Sequence, residues 1–333
     1  MIKVGMIGAG RIAQIHTKTI QEKINGATVK TVADINVNFA KKLAEQYRIE
    51  NYTDNYMDIL EDPEIDVVII CSSTDTHAKI SIEAARYKKH IFCEKPIDFN
   101  KDMIIKTIEE VSKAGVKYQV GFNRRFDHNF SKIKDLIDSG KIGTPQIIKI
   151  TSRDPKAPPI EYVKVSGGMF LDMTIHDFDM AAFLSGSKIT EVYTQGACMV
   201  NPEIGEAGDI DTAIISVKFE NGCIGVIDNS REAAYGYDQR VEVFGSKGYV
   251  KAENDTDTTV TVATSEGILS EKPKYFFLER YMDSFITEMQ HFFDCVAENK
   301  EVPVTAKDGL NSVLVGLAAT KSLKEGKPVK IEE

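Results

Sequence analysis

Residues 165–180 read Val-Ser-Gly-Gly-Met-Phe-Leu-Asp-Met-Thr-Ile-His-Asp-Phe-Asp-Met. Asp172 and His176 stand four positions apart, and Asp179 follows three later. On one continuous helix those spacings put all three side chains on a single face. An imidazole between two carboxylates is equipped for proton transfer near neutral pH. Of the two acids beside it, the spacing favours Asp179 for substrate contact and leaves Asp177 as a helix-surface acid. The same three groups can in principle hold a divalent cation. No His-Glu-x-x-His run or cysteine cluster supports a metal elsewhere, and none is expected.

Such a constellation needs a scaffold and a second reactant. The chain opens with a short apolar run, Met1 to Ile7, which reads as a buried strand. Gly8-Ala9-Gly10-Arg11-Ile12-Ala13 follows at once, a Gly-x-Gly-x-x-Ala dinucleotide fingerprint. Gly8 permits the tight turn and Gly10 lets backbone approach a pyrophosphate. Ala13 lets the helix pack on the strand. The helix opened by Arg11 and Ile12 offers N–H groups and its positive end to phosphate. A second strand, residues 28–34, ends in Asp34, 21 residues beyond Ala13. That matches the spacing of about 20 expected for a ribose-binding carboxylate. No Arg or Lys follows within Ile35 to Asn38 to hold a 2′-phosphate, so NAD is expected over NADP. The competing role for Asp34 is capping the helix that follows.

The alternation continues. Ile65–Cys71 reads as a buried strand, 72–77 as a polar loop, and 78–87 as a helix. His90–Cys93 reads as another strand, running into Glu94-Lys95-Pro96, and Val116–Val120 as one more. Strands alternating with helices imply a mostly parallel sheet with ligands at the strands' carboxyl ends. Ser72, Thr74, His77, Glu94 and Lys95 all fall there. His77 can equally cap the start of its helix.

Beyond Gly121 the texture changes. An amphipathic helix is expected near 127–139 and a strand near 146–153. Period-2 segments dominate 190–263, with a hairpin signal at Glu220-Asn221-Gly222. Helices near 281–298 and 306–325 close the chain. The expected fold class is α/β: an N-terminal Rossmann parallel sheet, then an α+β domain with an open, largely antiparallel sheet. The division is 1–121 for the dinucleotide-binding domain and 122–333 for substrate binding and oligomerisation. An open sheet needs cover on its second face, and another subunit can supply it.

At 333 residues the chain exceeds one ordinary core. Its formal net charge of −9, with no basic patch, argues against nucleic acid. No apolar run approaches membrane-spanning length. The 5 cysteines are widely spaced, without Cys-x-x-Cys. That pattern suits reduced thiols and a cytoplasmic location.

Taken together, Gly8-x-Gly10-x-x-Ala13, Glu94-Lys95-Pro96 and Gly167-Gly168-x-x-x-Asp172-x-x-x-His176 resemble the glucose-fructose oxidoreductase / inositol dehydrogenase / MocA (Gfo/Idh/MocA) family. The resemblance spans essentially the whole chain. Residues 121–127, 152–155, 172–179, 228–231 and 235–238 look like those of inositol 2-dehydrogenases. The resemblance implies NAD, a homotetramer built through the open sheets, and oxidation of a cyclitol hydroxyl, myo-inositol first, to a ketone. It implies Lys95, Asp172 and His176 as catalytic residues, with His176 the base and Lys95 across the cleft stabilising the alkoxide. It implies Arg124, Asp154, Asp179 and Tyr237 as further substrate contacts. Arg125 and Tyr235 are the neighbours equally able to be structural. The chain departs at Ser152-Arg153-Asp154, where several inositol dehydrogenases carry His-Arg-Asn, which leaves the polyol open. Rival readings are another polyol or sugar, such as scyllo-inositol or a pyranose, and a non-catalytic NAD-binding sensor.

Overall fold

The computed structural model describes residues 1–332 and divides into two compact units. The first comprises Met1–Phe126 and Asp283–Val313, the second Asp127–Met282 and Leu314–Glu333.

In the first unit, strands β1 (Ile2–Ile7), β2 (Ala27–Ala33), β3 (Asn51–Thr53), β4 (Val67–Ile70), β5 (His90–Glu94) and β6 (Tyr118–Gly121) form one sheet in the order β3-β2-β1-β4-β5-β6. Every pairing is parallel. This is the doubly wound order, which reverses between β1 and β4 and opens a ligand crevice at their carboxyl ends. Helices α1 (Arg11–Glu22), α2 (Val37–Tyr47), α3 (Met57–Glu61), α4 (Thr74–Arg86) and α5 (Lys101–Ala114) connect the strands. The helix after β4 begins at Thr74, so Thr74–His77 lie in its first turn and not in a loop. A Ser-Ser-Thr-Asp-Thr run reads as loop by composition. Here Ser73 takes the extended N-cap conformation, and Thr76 donates both its N–H and its hydroxyl to the Ser73 carbonyl.

The second unit carries helix α6 (His128–Asp138), strand β7 (Pro145–Arg153) and helices α7 (Ile160–Val163), α8 (Met169–Asp172) and α9 (Ile175–Ser185). Strand β8 (Ile189–Ala197), helix α10 (Pro202–Glu206), strands β9 (Thr212–Phe219), β10 (Ile224–Ser230), β11 (Asp238–Gly245) and β12 (Gly248–Ala252) follow. An exposed hairpin of β13 (Thr261–Thr264) and β14 (Gly267–Ser270) precedes α11 (Phe277–Arg280), α12 (Met282–Ala297), α13 (Ala306–Glu325) and β15 (Val329–Lys330). The large sheet runs β12-β11-β7-β10-β9-β8-β15. It is antiparallel except for β7 and β10, which run side by side in parallel. One face is buried: Ile148, Ile150 and Ser152 alternate with exposed or half-exposed Lys149, Thr151 and Arg153.

The compact units differ from the division expected at residue 121. Helix α12 puts Met289, Phe292 and Phe293 into the core of the first unit, with Val4, Met6 and Phe92. Phe292 meets Phe92 edge to face at 5.7 Å. Burying such rings is worth about 1.5–3 kcal/mol each. The matching apolar faces, distant in sequence, therefore outweigh chain order.

Candidate active site

In the first unit the chemistry-bearing positions gather at the carboxyl ends of the strands. Gly8 ends β1 with φ +98°, and a Cβ there would lie 2.6 Å from the Cys71 carbonyl. Only glycine fits. Gly10 caps α1 without a side-chain hydrogen bond, and a Cβ on it would meet nothing within 4 Å. Open space thus faces the positive end of α1, at Arg11 and Ile12, where a pyrophosphate is best held.

Asp34 follows β2. Its Oδ2 accepts the Ala9 N–H at 2.8 Å and its Oδ1 the Asn36 N–H at 2.9 Å. The cap of α2 is Asn36, whose side chain accepts from Asn38. Asp34 therefore ties the glycine loop to the end of β2. Its carboxylate keeps lone pairs for further donors such as ribose hydroxyls. The Ser72 and Thr76 hydroxyls pair at 2.7 Å beside Thr74.

His77 is buried. Its Nδ1 lies 2.8 Å from the Pro96 carbonyl and its Nε2 3.1 Å from that of Ser72. Two carbonyls on two ring nitrogens call for an imidazolium, the form that donates from both. Burial works against the charge, but Cys93 and the two carbonyls outweigh it and push the pKa to about 9. His77 thus clamps the Ser72 loop to the turn that carries Lys95. Lys95 itself is half-buried and precedes a cis bond to Pro96.

Glu94 accepts from buried His16 Nε2 at 2.6 Å. A Cβ on Gly121 would press on the Glu94 carboxyl group at 3.0 Å. The sequence reading missed His16; its signal was a lone histidine on the apolar face of α1. Arg124 and Arg125 separate clearly. Arg124 is buried, whereas Arg125 donates to Asp308 and the Pro303 carbonyl, tying the turn after β6 to the start of α13.

In the second unit the parallel pair β7 and β10 brings two strand ends together, with Ser230 opposite Arg153. Asp154 follows β7 and donates its N–H to the Ser230 carbonyl at 2.9 Å. Arg231 follows β10. Asp172, at the end of α8, accepts from Tyr162 through Oδ1 at 2.8 Å and from Arg231 through Oδ2 at 2.9 Å.

The expected continuous helix is broken between Asp172 and Ile175. At the break Met173 departs from ideal helical geometry (φ −96°, ψ −60°) and the Thr174 N–H reaches back to the Met169 carbonyl, while the buried Thr174 hydroxyl donates to Asn229 Oδ1 at 2.6 Å. Asp172 therefore comes from α8, whereas half-buried His176 and buried Asp179 come from α9. Asp177 is no surface acid: it is fully buried and accepts from Asn229 Nδ2 at 2.9 Å. Asn229 thus fastens the start of α9 to the end of β10.

Tyr237 is buried edge to face against Tyr281 at 5.9 Å. Tyr235 instead donates to Asp238 at 2.5 Å and accepts from Arg153 at 3.2 Å. Ser152, first of the Ser152-Arg153-Asp154 departure, is fully buried and donates to Gln239 at 3.1 Å. Among the described residues no three His, Cys, Asp or Glu side chains gather as a metal site.

These two constellations meet their counterparts in known proteins. Residues 2–122 match the family model of the oxidoreductase family's NAD-binding Rossmann fold, and residues 134–331 that of its C-terminal alpha/beta domain. The chain belongs to the Gfo/Idh/MocA oxidoreductase family. Within Gfo/Idh/MocA, it is 51% identical to the uncharacterized oxidoreductase YrbE of Bacillus subtilis, over 99% of this chain and 97% of that one. It is 46% identical to the myo-inositol 2-dehydrogenase of Thermotoga maritima, over 100% of this chain and 99% of that one. It superposes with a TM-score of 0.93 on scyllo-inositol dehydrogenase of Lactobacillus casei with bound NAD(H) and scyllo-inositol, at 31% identity and 99% coverage of both chains. As a Gfo/Idh/MocA oxidoreductase the chain binds NAD. The open space at Gly10, the uncapped end of α1 and the anchored Asp34 fit that cofactor.

Proposed function

We propose that this chain is a cyclitol dehydrogenase that oxidises myo-inositol to its 2-ketone. Supporting this reading most strongly is the end-to-end similarity to the Thermotoga maritima myo-inositol 2-dehydrogenase. When bound, NAD supplies the hydride acceptor. Gly8, Gly10, Arg11 and Ile12 hold its phosphates through backbone, and Asp34 accepts from its ribose hydroxyls. Ser72, Thr74, Glu94 and Lys95 line its path, with His77 acting through the loops it clamps.

Oxidising a secondary alcohol requires removing the hydroxyl proton as hydride leaves the same carbon. His176 takes that proton, and the Asp172 carboxylate stabilises the cation that forms, or holds a neighbouring hydroxyl. The Lys95 ammonium stabilises negative charge on the oxygen. Arg124, Asp154, Asp179 and Tyr237 bind the other hydroxyls.

The open face of the seven-stranded sheet exposes Ile147, Ile214, Ile224, Phe244 and Tyr249. An apolar sheet face of that extent favours burial against further copies, here in a homotetramer. No helix among the described residues is long and apolar enough to cross a membrane. The five cysteines are free thiols, as a reducing cytoplasm would keep them.

A second reading is scyllo-inositol as substrate, favoured by the likeness to the Lactobacillus casei enzyme and by the Ser152-Arg153-Asp154 departure. NADH formation measured with NAD and myo-inositol, scyllo-inositol, glucose and xylose tests both. Saturable turnover with myo-inositol and little with the sugars is expected. Preference for scyllo-inositol exchanges the two readings. Silence on all four, with NAD still bound, removes the cyclitol assignment. Lys95→Ala separates catalyst from sensor, because a catalyst loses turnover while keeping its fold.

A further inference from the structure

Arg231 is 2% exposed. Enclosing a guanidinium costs several kcal/mol unless anions and hydrogen bonds offset it. Its side chain makes one hydrogen bond among the described residues, from Nη1 to Asp172 Oδ2. Asp209 Oδ2 stands 3.9 Å from Nη2, and neither that oxygen, nor Nη2, nor Nε has a hydrogen-bond partner among the described residues. Burial works to lower the Arg231 pKa, but Asp172, with Asp154 and Asp209 adding to it, leaves it raised.

The root of the side chain is held as well. The Arg231 N–H donates at 2.8 Å to the carbonyl of Asp211. The Asp211 carboxylate in turn accepts the N–H groups of Met199, Val200 and Asn201. On its other side Asp172 accepts from the Tyr162 hydroxyl, whose ring is 48% exposed. A carboxylate turns easily about its last torsion. Two donors on two different oxygens remove that freedom.

We infer that Arg231 and Tyr162 are positioning residues, which lock the orientation of the Asp172 carboxylate and hold it as an anion for catalysis. This rests on the catalytic role proposed for Asp172. Tyr162 on α7 and Arg231 after β10 touch that carboxylate, Asp154 after β7 and Asp209 before β9 face the same Arg231, and His176 on α9 follows four residues on. With Arg231 removed, Asp172 loses the cation that shares its charge with Asp154 and Asp209, which favours its protonated form. A neutral acid cannot stabilise an imidazolium.

The test compares full-length Arg231→Lys, Arg231→Met, Tyr162→Phe and Asp172→Asn with the wild type. Turnover of myo-inositol at saturating NAD is read beside NADH affinity and melting temperature. Tyr162→Phe alters a half-exposed ring and folds normally; its kcat is expected to fall roughly fivefold, the worth of one hydrogen bond to a charged group. Arg231→Met is expected to lose about a hundredfold in kcat, and Arg231→Lys to recover about tenfold of it, with NADH affinity unchanged.

A second readout needs no substrate. The ¹³Cγ resonance of Asp172, assigned by its loss in Asp172→Asn, should titrate at higher pH in Arg231→Met and Arg231→Lys than in the wild type. Wild-type kcat in Tyr162→Phe and Arg231→Lys, with turnover lost in Asp172→Asn, overturns the positioning role and leaves the catalytic reading intact. Full turnover in Asp172→Asn removes the catalytic reading. Identical titration of the resonance in all variants overturns the locking of Asp172 whatever the substrate.

Discussion

In the first unit the positions proposed to meet the cofactor are set by backbone: a glycine no other residue can replace at position 8, an uncapped helix end at Gly10, and strand ends in a fixed order. In the second unit the positions proposed to meet the substrate are set by side chains gripping other side chains. Asp172 is held by Tyr162 and Arg231, and the start of α9 is pinned by Asn229 through Thr174 and Asp177. A backbone-built site is compact in sequence and serves any ligand carrying the same phosphates. A side-chain-built site is scattered along the chain. Its partners can be exchanged one at a time.

The contrast breaks most visibly at His176. His176→Ala should lower kcat on the order of a thousandfold while NADH affinity and melting temperature hold. It should also remove the rise of kcat/KM with pH. An unchanged pH profile would discard His176 as the base.

The backbone side sharpens through two glycines. Gly8→Ala forces a side chain into the Cys71 carbonyl at positive φ and should cost about 2 kcal/mol or more of stability, read by denaturant unfolding. Gly10→Ala meets no atom of the protein, so its stability should match the wild type while NADH affinity falls, read by fluorescence titration. Equal stability of the two variants would contradict the stated basis of the glycine loop.

His77 is the exception within the first unit, a side chain holding backbone. Its folded pKa, about 9, lies above its ordinary 6.5. The stabilisation is therefore complete below pH 6.5 and is lost as the pH rises toward 9. Wild type should lose on the order of 3 kcal/mol relative to His77→Gln across that window, by urea unfolding at each pH. A constant difference would show a neutral His77.

The smallest effect is expected at Asp34. Asp34→Ala should reduce the preference for NAD over NADP by about tenfold, the repulsion and hydrogen bonding of one carboxylate, in paired kcat/KM measurements. Equal use of both cofactors by the wild type would remove that role.

The same contrast explains what could be read from sequence. Gly8, Gly10, Asp34 and the alternation of apolar runs with helical segments are local signals, and the parallel sheet followed from them. Local signals also marked the hairpin at Asn221-Gly222, where β9 turns into β10 with Gly222 at φ +88°. Neither the parallel pairing of β7 with β10 nor the packing of α12 in the first unit was legible, because each depends on partners far apart in the chain. The break after Asp172 was hidden because Met173 and Thr174 both fit a helical pattern, and the partner of the buried Thr174 hydroxyl, Asn229, lies 55 residues away. Spacing alone left Asp177 as a surface acid, and only the position of Asn229 gives it its buried partner. Arg231 lay in the marked 228–231 segment, but nothing local tied it to Asp172, 59 residues away.

Hydride transfer from a cyclitol carbon is the central claim, and isotope transfer tests it most directly. Myo-inositol deuterated at carbon 2 would be incubated with the protein and NAD, and the reduced cofactor analysed by mass spectrometry. The account predicts one deuterium in each NADH formed, and none formed by His176→Ala on the same timescale. NADH without deuterium, or no reduction by a protein that binds NAD, would contradict it.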